Sequence, residues 1–179
     1  MSKLRIPVGP ADHIQGPADA PVTLVEYGDY ECPYCALAFP NLKRLQKRLA
    51  KELRFVFRHF PLTEAHPFAE AAAEAAEYAA AHQRFWEMHE GLYANQDQLG
   101  VTLIFALGRT LGLSEGGLRD ALATRKFSAK IKADFLGGVR SGVNGTPSFF
   151  IDGERFEGNF SYEDLAAAID ARLHASVPR

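Results

Sequence analysis

Two short apolar runs near the start of the chain set its pattern: "VTLVEYG" at 22–28 and "LRFVFRHF" at 53–60. Both are rich in β-branched or aromatic residues, and glycine ends the first, which predicts two buried strands. Between them, in "LKRLQKRLAKELR" (42–54), Leu42, Leu45, Leu49 and Leu53 recur three or four apart. That spacing predicts an amphipathic helix whose Lys and Arg residues occupy the opposite, solvated face. A strand, a helix and a second strand within about forty residues predict a βαβ unit with parallel pairing.

The pattern then turns helical throughout 64–140. "PFAEAAAEAAEYAAA" (67–81) is dominated by alanine, the best helix former, and opens on a proline suited to a first turn. "RFWEMHEGLY" (84–93), "LIFALGRTLG" (103–112), "LSEGGLRDALA" (113–123) and "FSAKIKADFLGGVRSG" (127–142) add further helices, with Ser114 and Ser128 placed to cap two of them. Strands return at "PSFFIDG" (147–153) and "ERFEG" (154–158), where Asp152–Gly153 is a strong hairpin-turn signal. "SYEDLAAAIDARLH" (161–174) closes with a helix whose Ser161 and Asp164 have capping-box spacing. The predicted order is β-α-β, a helical block, then β-β-α, in one α/β domain over 1–179. Residues 1–21, rich in Pro, Gly and Ala, are expected to wander before the fold begins.

Composition narrows the function. A chain of 179 residues, 47% hydrophobic, can bury a substantial core. Its net charge of −2 gives no reason to expect a nucleic-acid partner. No stretch approaches the ~20 apolar residues of a membrane-spanning helix, and the first residues lack the apolar core of a secretory signal, so the chain reads as cytoplasmic, with no membrane partner.

Both cysteines fall in "DYECPYCA" (29–36), as Cys32 and Cys35. The pair sits where a strand gives way to a helix, so Cys32 should meet the unpaired N–H groups and positive dipole end of that helix. Such a place lowers a thiol pKa and favours a dithiol/disulfide centre. Zinc is the rival, but a structural site needs four ligands and there is no second cysteine pair. None of His13, His59, His66, His82, His89 and His174 forms a ligand pair near the cysteines, so no metal is expected. Glu26, in an otherwise apolar strand, needs a reason to be there.

"APVTLVEYGDYECPYCALAFP" followed much later by "VNGTPSFFIDG" resembles the DsbA-like thioredoxin-fold oxidoreductases. The resemblance spans about 12–174 and is strongest at those two motifs. It implies a thioredoxin frame over about 12–63 and 141–176, with a helical insertion over about 64–140, and a thiol–disulfide oxidoreductase acting on protein or peptide substrates. It casts Cys32 as the attacking cysteine and Cys35 as the resolving one. Pro147 takes the place of the cis-proline beside them, and Glu26 that of a buried acid assisting proton transfer. Pro33, Tyr34 and Thr146 become substrate-facing residues, and the Cys32–Cys35 disulfide takes the place of a cofactor. Tyr34 stands where strongly oxidising members carry histidine. With Asp29 and Glu31 nearby, it predicts a less acidic Cys32. "CPYC" is also the glutaredoxin tetrapeptide, which leaves glutathione, or a thioredoxin-type reductant, open as electron donor. A non-catalytic binding module or redox switch on the same fold is the alternative.

Overall fold

The computed structural model describes residues 2–175. The chain runs through β1 (His13–Gln15), β2 (Val22–Gly28), α1 (Pro33–Arg48) and β3 (Leu53–His59). Next come α2 (Ala69–Ala80), α3 (Phe85–Ala94), α4 (Val101–Thr110), α5 (Glu115–Thr124) and α6 (Ser128–Arg140), with one 3₁₀ turn at Gln96–Gln98. β4 (Ser148–Ile151), β5 (Glu154–Phe156) and α7 (Tyr162–Ala175) complete the order. The expected α/β succession is therefore present, with all helices from α2 to α6 lying between β3 and β4.

The sheet has the order β1-β3-β2-β4-β5. β2 and β3 pair in parallel, from Val22↔Leu53 to Gly28↔His59, and α1 makes the crossover. β4 and β5 pair antiparallel across Asp152 (φ 50°) and Gly153 (φ 80°), a turn that needs two left-handed residues. β2 and β3 are buried on both faces, which explains their near-continuous apolar character. Alternation still sorts their side chains. Val22, Leu24, Phe55 and Phe57 join a core with α1 and the helical block, whereas Val25, Tyr27 and Val56 join a smaller core with Phe60, Val143 and Phe150.

Two expectations change. The amphipathic helix ends at Arg48, so Leu42 and Leu45 pack from the helix while Leu53 opens β3. The basic residues of the run do face outward, with Lys43 on Glu90 and Arg48 on Asp170. The larger correction concerns the N-terminal stretch, in which the described residues 2–21 do not wander. β1 pairs antiparallel with β3, and Lys3 bridges to Glu154 on β5. Arg58 anchors the stretch between them, holding Asp12 through Nε and Nη2 (2.7 and 2.9 Å) and the carbonyls of Ile6 and Pro7. Proline and glycine there shape a path that a buried guanidinium reads through backbone oxygens, a contact that periodicity does not encode.

Cap expectations divide. Ser114 accepts from Gly117 N and Ser161 accepts from Asp164 N. Ser128 is instead the first helical residue of α6, with Phe127 at the cap. In α2, alanine serves packing as well as propensity, since Ala72, Ala75, Ala76 and Ala79 are all buried in the main core.

Candidate active site

β2 ends at Gly28 and the chain turns through Asp29–Cys32 into α1. Cys32 is the N-cap (φ −71°, ψ 120°) and Pro33 follows at the first helical position, where its missing N–H loses nothing. Cys32 N donates to Asp29 O (3.1 Å), and Gln96 Nε2 donates to both Tyr30 O (2.8 Å) and Cys32 O (2.9 Å). The helical block thus grips the cysteine turn through one amide. Sequence reading missed Gln96, because nothing local in "ANQDQLG" marks it.

Cys32 and Cys35 are free thiols, both buried by their neighbours. Across from them the Thr146–Pro147 peptide bond is cis. Cys32 Sγ donates to Thr146 O at 3.3 Å, which places the two sequence motifs, 114 residues apart, in direct contact. The Cys32 pKa is lowered to about 5. The hydrogen bond from Cys35 is the largest cause, and the backbone N–H groups of Cys35 and Tyr34 add to it against the effect of burial. Cys35 goes the other way, pushed up by burial, by its bond to Cys32 and by the charge of Glu26. The two thiols are thus differentiated: Cys32 ionises readily, and Cys35 keeps its proton.

Glu26 shares the face of β2 that carries Val22 and Leu24, below the cysteines. It is fully buried, and neither carboxylate oxygen has a partner. Burial, then the charge of Cys32, raises its pKa to about 8. Asp29 and Glu31, expected to oppose thiolate formation, have their carboxylates engaged elsewhere. Asp29 accepts from Glu31 N, Leu62 N and His66 Nδ1, and Glu31 accepts from Phe68 N. Both therefore act as loop staples, and hydrogen bonds rather than these charges set the Cys32 value. His66 rides above its ordinary pKa because the Asp29 bond outweighs its partial burial. Pro33 and Tyr34 are exposed, and Tyr34 meets Phe160 edge-on at 6.2 Å. With Leu37, 61% exposed on the next turn, they form an apolar rim beside Cys32.

A thioredoxin sequence profile matches residues 9–171. The chain belongs to the thioredoxin family. Among solved structures, this family member resembles oxidised BdbD from Bacillus subtilis (TM-score 0.85, 23% identity, 97% of this chain and 98% of that one). It also resembles α-DsbA1 from Wolbachia pipientis (TM-score 0.83, 20% identity, 96% and 95%). These likenesses establish the DsbA-like form of the thioredoxin fold. A curated relative from Salinispora arenicola, named Na(+)/H(+) antiporter NhaA 1, is 44% identical over 167 residues. That match takes in 93% of this thioredoxin-family chain but only 26% of the relative. The chain spans about a quarter of that relative's length, and among its described residues no helix is long and apolar enough to cross a membrane.

Proposed function

We propose that this protein is a thiol–disulfide oxidoreductase acting on protein or peptide substrates. The observation that carries the reading is the contact of the Cys32 thiol, its pKa lowered to about 5, with Thr146 on the far motif, above a buried and proton-holding Cys35. At neutral pH Cys32 is mostly thiolate, the form that attacks a disulfide. In the reducing direction its sulfur bonds to one substrate sulfur and the other leaves as a thiolate, which takes a proton from water. The mixed disulfide removes the Cys32 charge that helps hold a proton on Glu26; Glu26, once ionised, takes the Cys35 proton as Cys35 attacks Cys32 Sγ. The mixed disulfide breaks, the Cys32–Cys35 disulfide forms, and two electrons have passed to the substrate. Oxidation of a substrate dithiol runs the same steps backwards. A pKa near 8 suits Glu26 to take and return a proton near neutrality.

Pro33, Tyr34 and Thr146 line the approach to Cys32 and are the residues a substrate would meet, with Leu37 extending the rim. The Cys32–Cys35 pair is itself the redox group, and glutathione or a thioredoxin-type dithiol can serve as the other half of the couple. The antiporter name of the longer relatives describes chains of which this protein matches a quarter, and ion antiport is not carried over. A binding module or redox switch on the same fold is the competing reading. Insulin reduction with dithiothreitol separates them. We expect turnover in the wild type and its abolition in Cys32→Ser, while a correctly folded wild type without turnover would establish the module.

A further inference from the structure

His13 on β1, His59 at the end of β3 and Glu77 on α2 converge behind the cysteine turn, although 46 and 18 residues separate them along the chain. His13 Nε2 lies 2.5 Å and His59 Nε2 2.7 Å from the same oxygen, Glu77 Oε1. The three candidate donor atoms all fall within 4.8 Å of one another. Two imidazole nitrogens and a carboxylate oxygen are the donor set of zinc and of other first-row divalent ions.

The rings are held in place by their surroundings. His13 stacks on Phe85 at 3.5 Å and 8°, and His59 stands edge-on to Phe57 at 5.4 Å and 87°. His59 and Glu77 are buried, whereas the His13 side chain retains 14% exposure, so an ion and a water ligand have an approach from that side. A second, independent feature points the same way. Glu74, one turn before Glu77 on α2, is 1% exposed, and its Oε1 has no hydrogen-bond partner. Its other oxygen accepts from Phe127 N, and the charges of Glu77 and His59 both act on it. Two carboxylates lie in one buried quarter, and one of them keeps an oxygen without a hydrogen-bond partner, an arrangement a bound cation would complete.

We propose that His13 Nε2, His59 Nε2 and Glu77 Oε1 bind one divalent transition-metal ion of the zinc class, with water in the fourth position and Glu74 as neighbouring counter-charge. Tetrahedral bonds of about 2.0–2.1 Å set donor atoms roughly 3.3 Å apart, so the present N···O contacts must open by roughly 0.6–0.8 Å. A small rotation of the Glu77 side chain supplies that. The ion would join the N-terminal strand, the central sheet and the helical insertion at one point.

The test uses the full chain oxidised to the Cys32–Cys35 disulfide, so that thiolates offer no competing ligand, and stripped of metal with a chelator. Zn²⁺ is titrated in by calorimetry, and thermal unfolding is followed with and without it. One ion per chain, a raised unfolding temperature and at least about tenfold weaker binding in His13→Gln are expected. Absence of stoichiometric binding, or equal binding by His13→Gln, overturns the proposal. Should the variant not fold, the imidazole proton signals of the wild type decide. Zn²⁺ must move those of His13 and His59, and movement confined to His66, His82 or His174 overturns it.

Discussion

Glu26 shows how one residue couples the redox site to stability. Its folded pKa of about 8 stands above the ordinary value of 4.5, so between those pH values the folded chain holds a proton that the unfolded chain has released. Its contribution is fully present below pH 4.5 and is lost as pH rises through 8, by up to about 5 kcal/mol on the full shift. Unfolding of the reduced protein should therefore become easier from pH 5 to pH 8. Glu26→Gln should flatten that dependence, and denaturant titrations giving both proteins the same pH slope would contradict the assignment. Here the sequence was informative, since a lone carboxylate in an apolar strand is a visible anomaly. Asp29 and Glu31 were harder to read. Their charge is evident in the sequence, but the amides of Leu62 and Phe68 that engage it become neighbours only on folding.

Among elements, β2, β3 and the hairpin were legible because burial on two faces and an Asp–Gly turn leave local signatures. The sequence pattern marks both the α1 start and the cysteine pair. The helical block was legible as helix and opaque as packing. Whether α2 presents Glu74 and Glu77 to the interior depends on partners in β1 and β3, which helical periodicity cannot reveal. The 3₁₀ turn belongs to the same category. Gln96 ties it to the carbonyls of Tyr30 and Cys32, two bonds from one side chain to the cysteine turn. Gln96→Ala should lower stability by about 1–2 kcal/mol in urea unfolding. A loss within error of zero would show that the turn holds itself.

For the molecule as a whole, the thiolate and the disulfide are linked quantities. Stabilising the Cys32 thiolate favours the reduced protein, so a more acidic Cys32 makes a stronger oxidant. A value of about 5 lies between roughly 3.5 for DsbA and roughly 7 for thioredoxin. The reduction potential should accordingly fall between about −120 and about −270 mV when equilibrated with glutathione buffers and read by alkylation and mass. A potential at either limit would contradict the thiolate energetics described above. Tyr34, standing where strongly oxidising members carry histidine, was the reason to expect a Cys32 less acidic than theirs. The hydrogen bonds that lower the Cys32 pKa, from Cys35 and two backbone amides, had to be seen assembled.

Residues 2–15 touch both margins of the sheet. Arg155 N donates to Ser2 O and Leu4 N to Gly153 O at one margin, while His13–Gln15 pairs with β3 at the other. One continuous segment therefore covers two edges that would otherwise offer unpaired amides. A single peptide-bond cleavage near Gly9 would sever the strap that links them. The piece before the cut could leave the β5 margin, opening that flank to strand exchange with another copy, while β1 stays covalently joined to β2. Limited proteolysis at that one loop would then change the state of association long before it reached the core.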